Sequence, residues 1–165
     1  MLEWMILPLK RYADFSGRSR RREYWLFFLF NLIVSAVLLG PIYAAVISNA
    51  MSVAAAGGDL QSYETAAMAG FQFGDHPIAS LLAVLGGLWA LFTIIPNIAV
   101  NVRRLHDRDM SGWWYLGFIV CAAIPVVGLV VAIAYIVLMC LEGTKGPNRF
   151  GADPKSDARA SDVFS

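Results

Sequence analysis

Three stretches of the chain carry no charged residue. Residues 24–48 read YWLFFLFNLIVSAVLLGPIYAAVIS, residues 77–102 read PIASLLAVLGGLWALFTIIPNIAVNV, and residues 113–141 read WWYLGFIVCAAIPVVGLVVAIAYIVLMCL. A helix crossing a bilayer needs about 20 mainly apolar residues, and each stretch is longer. In lipid, backbone polar groups must pair within the segment, so helices are the form such runs take. The period-2 alternation of a membrane β-barrel is absent. The pattern predicts an all-α fold: a polytopic helical integral membrane protein with two clear transmembrane helices and a third long segment broken by proline and glycine.

The third segment admits two forms. As one helix its 29 residues would reach about 43 Å, enough for a kinked, tilted span. Pro125 and Gly128 interrupt its middle, and proline removes a helix hydrogen bond. Bent there, the segment becomes a helical hairpin with arms of about 18–20 Å, too short to cross. The hairpin is the favoured form.

Charge then orients the runs. No Lys or Arg lies between Glu23 and Val102, whereas Lys10, Arg11, Arg18, Arg20, Arg21 and Arg22 precede the first run and Arg103, Arg104 and Arg108 follow the second. Basic residues mark the cytoplasmic side, so the N-terminus is expected inside. The connection at 49–76, with Asp59, Glu64 and Asp75 but no base, is expected outside, with a short surface helix from Asp59 to Ala69. The expected divisions are a basic interfacial segment at 1–23, a membrane bundle at 24–141 with a cytoplasmic loop at 103–112, and a C-terminal motif and disordered tail at 142–165. The first run is too long for a signal-peptide core of about 7–15 residues and reads as a signal-anchor. Trp4, Ile6, Leu7, Leu9 and Tyr12 suit a short amphipathic piece at the interface, limited by Pro8.

Composition agrees with lipid as the solvent. The 165 residues are 58% hydrophobic and 15% charged, with mean hydropathy +0.60; a soluble domain carries about 25% charged residues. Cys121 and Cys140 lie in an apolar run without neighbours at metal-ligand spacing, so they read as small apolar lining.

Candidate chemistry gathers in three motifs at the ends of these runs. The first is Phe15-Ser16-Gly17-Arg18-Ser19-Arg20-Arg21-Arg22-Glu23-Tyr24-Trp25, a basic cluster and aromatic belt that sets topology or binds anionic headgroups. The second is Asn101-Val102-Arg103-Arg104-Leu105-His106-Asp107. Adjacent helical residues do not face each other, so His106 and Asp107 make no ready dyad, and salt bridging suits them better than catalysis. The third is Gly143-Thr144-Lys145-Gly146-Pro147-Asn148-Arg149-Phe150-Gly151, which lacks the order and the preceding strand of a phosphate loop and reads as a tight turn. Arg18, Arg21, Arg22, Glu23, Arg103, Arg104, His106, Asp107, Asn148 and Arg149 are candidates for one binding or structural hub. Within the runs, Thr93, Asn97 and Asn101 recur every four residues and share a helix face, and Asn31 starts a shorter one. Such groups more often join helices by hydrogen bonds than line a path.

In this order the motifs resemble the bacterial inner-membrane family known as domain of unknown function 805. The resemblance rests on Phe15-Ser16-Gly17-Arg18 with Arg21-Arg22-Glu23-Tyr24-Trp25, then Arg103-Arg104-Leu105-His106-Asp107, and then Ser111-Gly112-Trp113-Trp114. It closes with Ile124-Pro125 followed by Gly128, and Gly143-Thr144 with Gly146 to Gly151. It covers about residues 10–154. Arg108-Asp109-Met110 and the long external loop depart from the family's pattern. The resemblance implies a small multi-pass inner-membrane protein and supplies no reaction, substrate or cofactor.

The leading functional expectation is a non-enzymatic membrane module that binds anionic lipid or a protein partner at its cytoplasmic face. A small oligomeric transporter or channel using the Thr93, Asn97 and Asn101 face is the alternative, and a membrane enzyme using His106 and Asp107 ranks last. Expected partners are membrane lipid, a second copy of the chain or another membrane protein. Nothing in the sequence calls for nucleic acid, a metal or another cofactor.

Overall fold

A computed structural model describes residues 1–69 and 77–155. Its helices are α1 (Leu2–Lys10), α2 (Arg21–Ala55), α3 (Leu60–Ala69), α4 (Pro77–Asp107), α5 (Trp113–Ala122) and α6 (Val127–Cys140). Among the described residues there is no strand, only an isolated bridge between Asn148 and Gly151. The protein is an all-helical membrane protein. Helices α2 and α4 have 35 and 31 residues, or about 52 and 46 Å, long enough to cross a bilayer. Only 11% of each helix's apolar window is buried. The core helix of a soluble protein would be mostly covered. Here Leu32, Val37, Leu88 and Leu91 face outward, where lipid must cover them.

The third apolar run is a hairpin, not one kinked span. Its arms have 10 and 14 residues, about 15 and 21 Å, and neither can cross the hydrocarbon core. Pro125 offers no N–H and disfavours helix in the residue before it. Beyond it the backbone makes a γ-turn: the Val127 amide donates to the Pro125 carbonyl at 2.8 Å, with Val126 at φ 69° and ψ −55°. This positive-φ turn is a strained form, more so at a β-branched residue. The arms then close on Gly128, where a Cβ would run into the Ala122 carbonyl.

Element boundaries differ from the sequence reading at two places. Helix α4 runs through Asp107, so residues 103–107 are helix rather than loop. The apolar run ends where charge begins, but the helical hydrogen-bond ladder does not. Helix α2 likewise continues to Ala55. The short helix expected from Asp59 forms as α3, with the Asp59 carboxylate accepting from the Ser62 amide at 3.0 Å and its hydroxyl at 2.6 Å, an N-cap. Asp75 and residues 156–165 of the expected disordered tail lie outside the described residues.

The chain divides into two compact units, Met1–Leu29 with Ile94–Ser165, and Phe30–Thr93. In the second, Phe30 meets Trp89 edge-on at 5.8 Å and the Asn49 side chain donates to the Ala66 carbonyl at 3.3 Å. The first unit holds all ten hub candidates.

Candidate functional site

Asp107 ends α4 and organises the first unit. It is 5% exposed. Arg18 Nε donates to its Oδ1 at 3.0 Å, and Arg104 Nη1 donates to its Oδ2. A buried charge is costly unless it is paired and its remaining polar groups are bonded. Arg18 meets that demand, because its Nη1 donates to the Gly146 carbonyl at 2.7 Å and its Nη2 to the Thr144 carbonyl at 2.5 Å. Arg104 spends its other donors on the Met139 carbonyl, at 3.3 and 3.2 Å, and on the Leu141 carbonyl. Arg21 donates to the Cys140 carbonyl at 3.0 Å. Helix α6 has no basic residue in its own last turn, so guanidinium groups from α4 and α2 satisfy its orphan carbonyls.

A second buried pair lies beside the first. Arg103, fully buried, donates from Nη2 to Glu23 at 3.0 Å and stands 3.9 Å from Asp14. Among the described residues its Nε and Nη1 have no hydrogen-bond partner. The Asp14 carboxyl is held down at about 2 by the Ser16 hydroxyl and Arg11. Backbone bonds fasten the segments around this core. The Ser19 amide donates to the Arg103 carbonyl at 3.1 Å and the Thr144 amide to the Asp107 carbonyl at 2.8 Å. Asn148 Nδ2 donates to the His106 carbonyl at 2.9 Å. Gly143 is needed here, because a Cβ would collide with the Asp107 carboxylate.

His106 and Asp107 point to different partners. The imidazole stacks on Phe150 at 3.9 Å with 5° between planes, and its Nδ1 lies 3.3 Å from the Gly17 carbonyl. His106 lies beyond the apolar run that ends at Val102. Burial pushes its pKa below the usual value, with a smaller contribution from nearby Arg149. Arg149 bonds Asp109, through Nε at 3.2 Å and to its carbonyl at 2.7 Å, and lies over the Phe150 ring. Thus Arg18, Arg104 and Asp107 meet directly and Arg103 meets Glu23. Asn148 joins them through the α4 backbone, and Arg149 stands at the edge. The polar face of α4 turns inward on itself: Thr93 donates to the Trp89 and Ala90 carbonyls at 2.9 and 3.2 Å, and Asn101 donates to the Asn97 carbonyl at 2.8 Å. Asn101 also accepts from the Tyr135 hydroxyl of α6. Asn31 is half-buried on α2.

Above the buried core opens a cavity of about 570 Å³. Arg18, Arg20, Arg21, Arg22, Lys145 and Lys155 line it, against Asp107, Glu142 and Asp153. All three carboxylates are already engaged: Asp107 as above, Asp153 as acceptor from the Gly146 and Lys155 amides at 3.2 and 2.9 Å, and Glu142 with Arg21 at 2.6 Å and Lys155 at 3.6 Å. Those cations, Lys155 first, draw the Glu142 pKa down. Arg20 lies over the Trp4 ring at 5.7 Å. Among the described residues no carboxylate comes within ion-pair distance of Arg20, Arg22 or Lys145. The hub drawn from sequence omitted Arg20, Lys145, Lys155, Glu142 and Thr144. Arg20 stood in the basic cluster of the first motif and Thr144 and Lys145 in the third, whereas no motif contained Glu142 or Lys155.

Residues 12–152 match the family described as a protein of unknown function (DUF805). The inner membrane protein YhaI of Escherichia coli K12 is 36% identical over 154 residues, covering 93% of this chain and 97% of the relative. The inner membrane protein YhaH of the same organism is 34% identical, covering 93% and 98%. No solved structure matches. The chain therefore belongs to the DUF805 family of inner-membrane proteins.

Proposed function

We propose that the protein is a non-enzymatic, multi-pass inner-membrane module that holds the phosphate of anionic phospholipids in the cationic cavity at its cytoplasmic face. One observation carries this reading: six basic side chains face three carboxylates around one opening, and among the described residues Arg20, Arg22 and Lys145 make no ion pair. The cavity also lies at the start of α2, where unpaired amides and the helix dipole favour an anion. Each basic residue near an anionic leaflet contributes about 1 kcal/mol. The same residues support a cytoplasmic N-terminus, because the basic segments at 10–22, 103–108 and 145–155 all belong to one unit and basic segments stay inside.

The test is titration of the detergent-solubilised protein with short-chain phosphatidylglycerol, using short-chain phosphatidylcholine as control. The proposal expects binding of the first only, weakened by salt and by neutralising Arg20, Arg22 and Lys145 to Gln. Equal binding of the two lipids, or unchanged binding by the triple variant, would overturn it.

A further inference from the structure

The cationic cavity does not end at Arg21 and Arg22. The same two residues also line a second groove of about 460 Å³, together with Met1, Trp25, Leu26 and Cys140. Arg22, Trp25 and Leu26 are spaced i, i+3 and i+4 on α2, so they share one helix face. Along that face the side chains change from a guanidinium to an indole and then to an aliphatic chain, the order met on passing from headgroups into hydrocarbon. Arg21 fixes the opposite wall by bonding the Cys140 carbonyl at the end of α6. The groove therefore has defined sides.

We propose that the two cavities form one site for a single anionic diacyl phospholipid, with its phosphate between Arg22 and Lys145 and one acyl chain laid along Trp25 and Leu26. This rests on the headgroup reading above and adds a stoichiometric lipid site to it. Charge complementarity selects the occupant: a neutral lipid would leave the cations unmatched, and a free phosphate would leave the apolar groove unused.

Native mass spectrometry of the full chain in detergent tests this with long-chain phosphatidylglycerol, short-chain phosphatidylglycerol and glycerol phosphate as probes. The wild type should retain one long-chain molecule per chain. Trp25→Ala with Leu26→Ala should bind the long-chain lipid about tenfold more weakly, through lost apolar contact, and the short-chain lipid as the wild type does. Arg22→Gln should weaken both. A groove variant that binds the long-chain lipid normally would overturn the acyl site and leave the headgroup reading standing. An Arg22→Gln variant that changes neither lipid would remove both. Cys140 gives a second readout that needs no groove variant, because it is exposed and lines the groove. In a Cys121→Ser background, long-chain phosphatidylglycerol should slow maleimide alkylation of Cys140 severalfold, and glycerol phosphate should not. Equal rates with and without the long-chain lipid would overturn the proposal.

Discussion

Arg104 and Arg22 are the same residue type, stand at the ends of the two long helices, and do opposite things. Arg104 is fully buried, and its donors are spent on Asp107 and on the carbonyls that end α6. Arg22 is exposed and lines an open cavity, and among the described residues no carboxylate comes within ion-pair distance of it. Arg18 and Arg103 belong with the first, Arg20 and Lys145 with the second. Both groups count equally toward topology, since the positive-inside rule counts charges and not contacts. They separate only when asked whether each cation has a partner within the protein. A buried, paired cation is part of the fold. One left in the open has its charge available to something else.

The largest effect should come from breaking the buried group. Asp107→Leu leaves Arg18 and Arg104 buried without a counter-charge, which costs about 3–5 kcal/mol. The variant should accumulate poorly and lose its cooperative melt in detergent; a melt like the wild type's would show that these pairs do not build the fold. Next comes Gly143→Ala, whose methyl meets the Asp107 carboxylate and should cost about 1–3 kcal/mol, read as a lowered Tm.

His106 should show a smaller effect, visible through pH. Its folded pKa is lowered by burial, so the unfolded chain takes the proton first as pH falls through about 6.5. Stability is greatest while the unfolded imidazole is also neutral, and declines as pH drops below that value. The fall in Tm between about pH 6.5 and 5 should be smaller in His106→Gln. Identical profiles for the two proteins would show that this imidazole carries no part of the pH dependence. The open group should matter least to folding. Arg22→Gln or Lys145→Gln should change stability by no more than about 0.5 kcal/mol.

The sequence made the membrane character plain because charge-free runs of such length have few alternatives. It also placed α3 correctly, from Asp59 ahead of a polar helical stretch, and favoured the hairpin from Pro125 and Gly128. It misplaced the end of α4, since hydropathy reports where lipid contact ceases and not where a helix stops. The candidate list drew together Arg18, Arg104 and Asp107, which do meet, but could not separate them from Arg22, because burial depends on what folds over each residue. Thr144 covers Asp107 from 37 residues away along the chain, and no local pattern announces that.

The open cations bind and the buried ones build. The most direct measurement is the affinity of Arg22→Gln with Lys145→Gln for short-chain phosphatidylglycerol, made at a temperature where its melt matches that of the wild type. Two charges at about 1 kcal/mol each predict a loss of about thirtyfold with the Tm unchanged. Wild-type affinity in that variant would contradict the account.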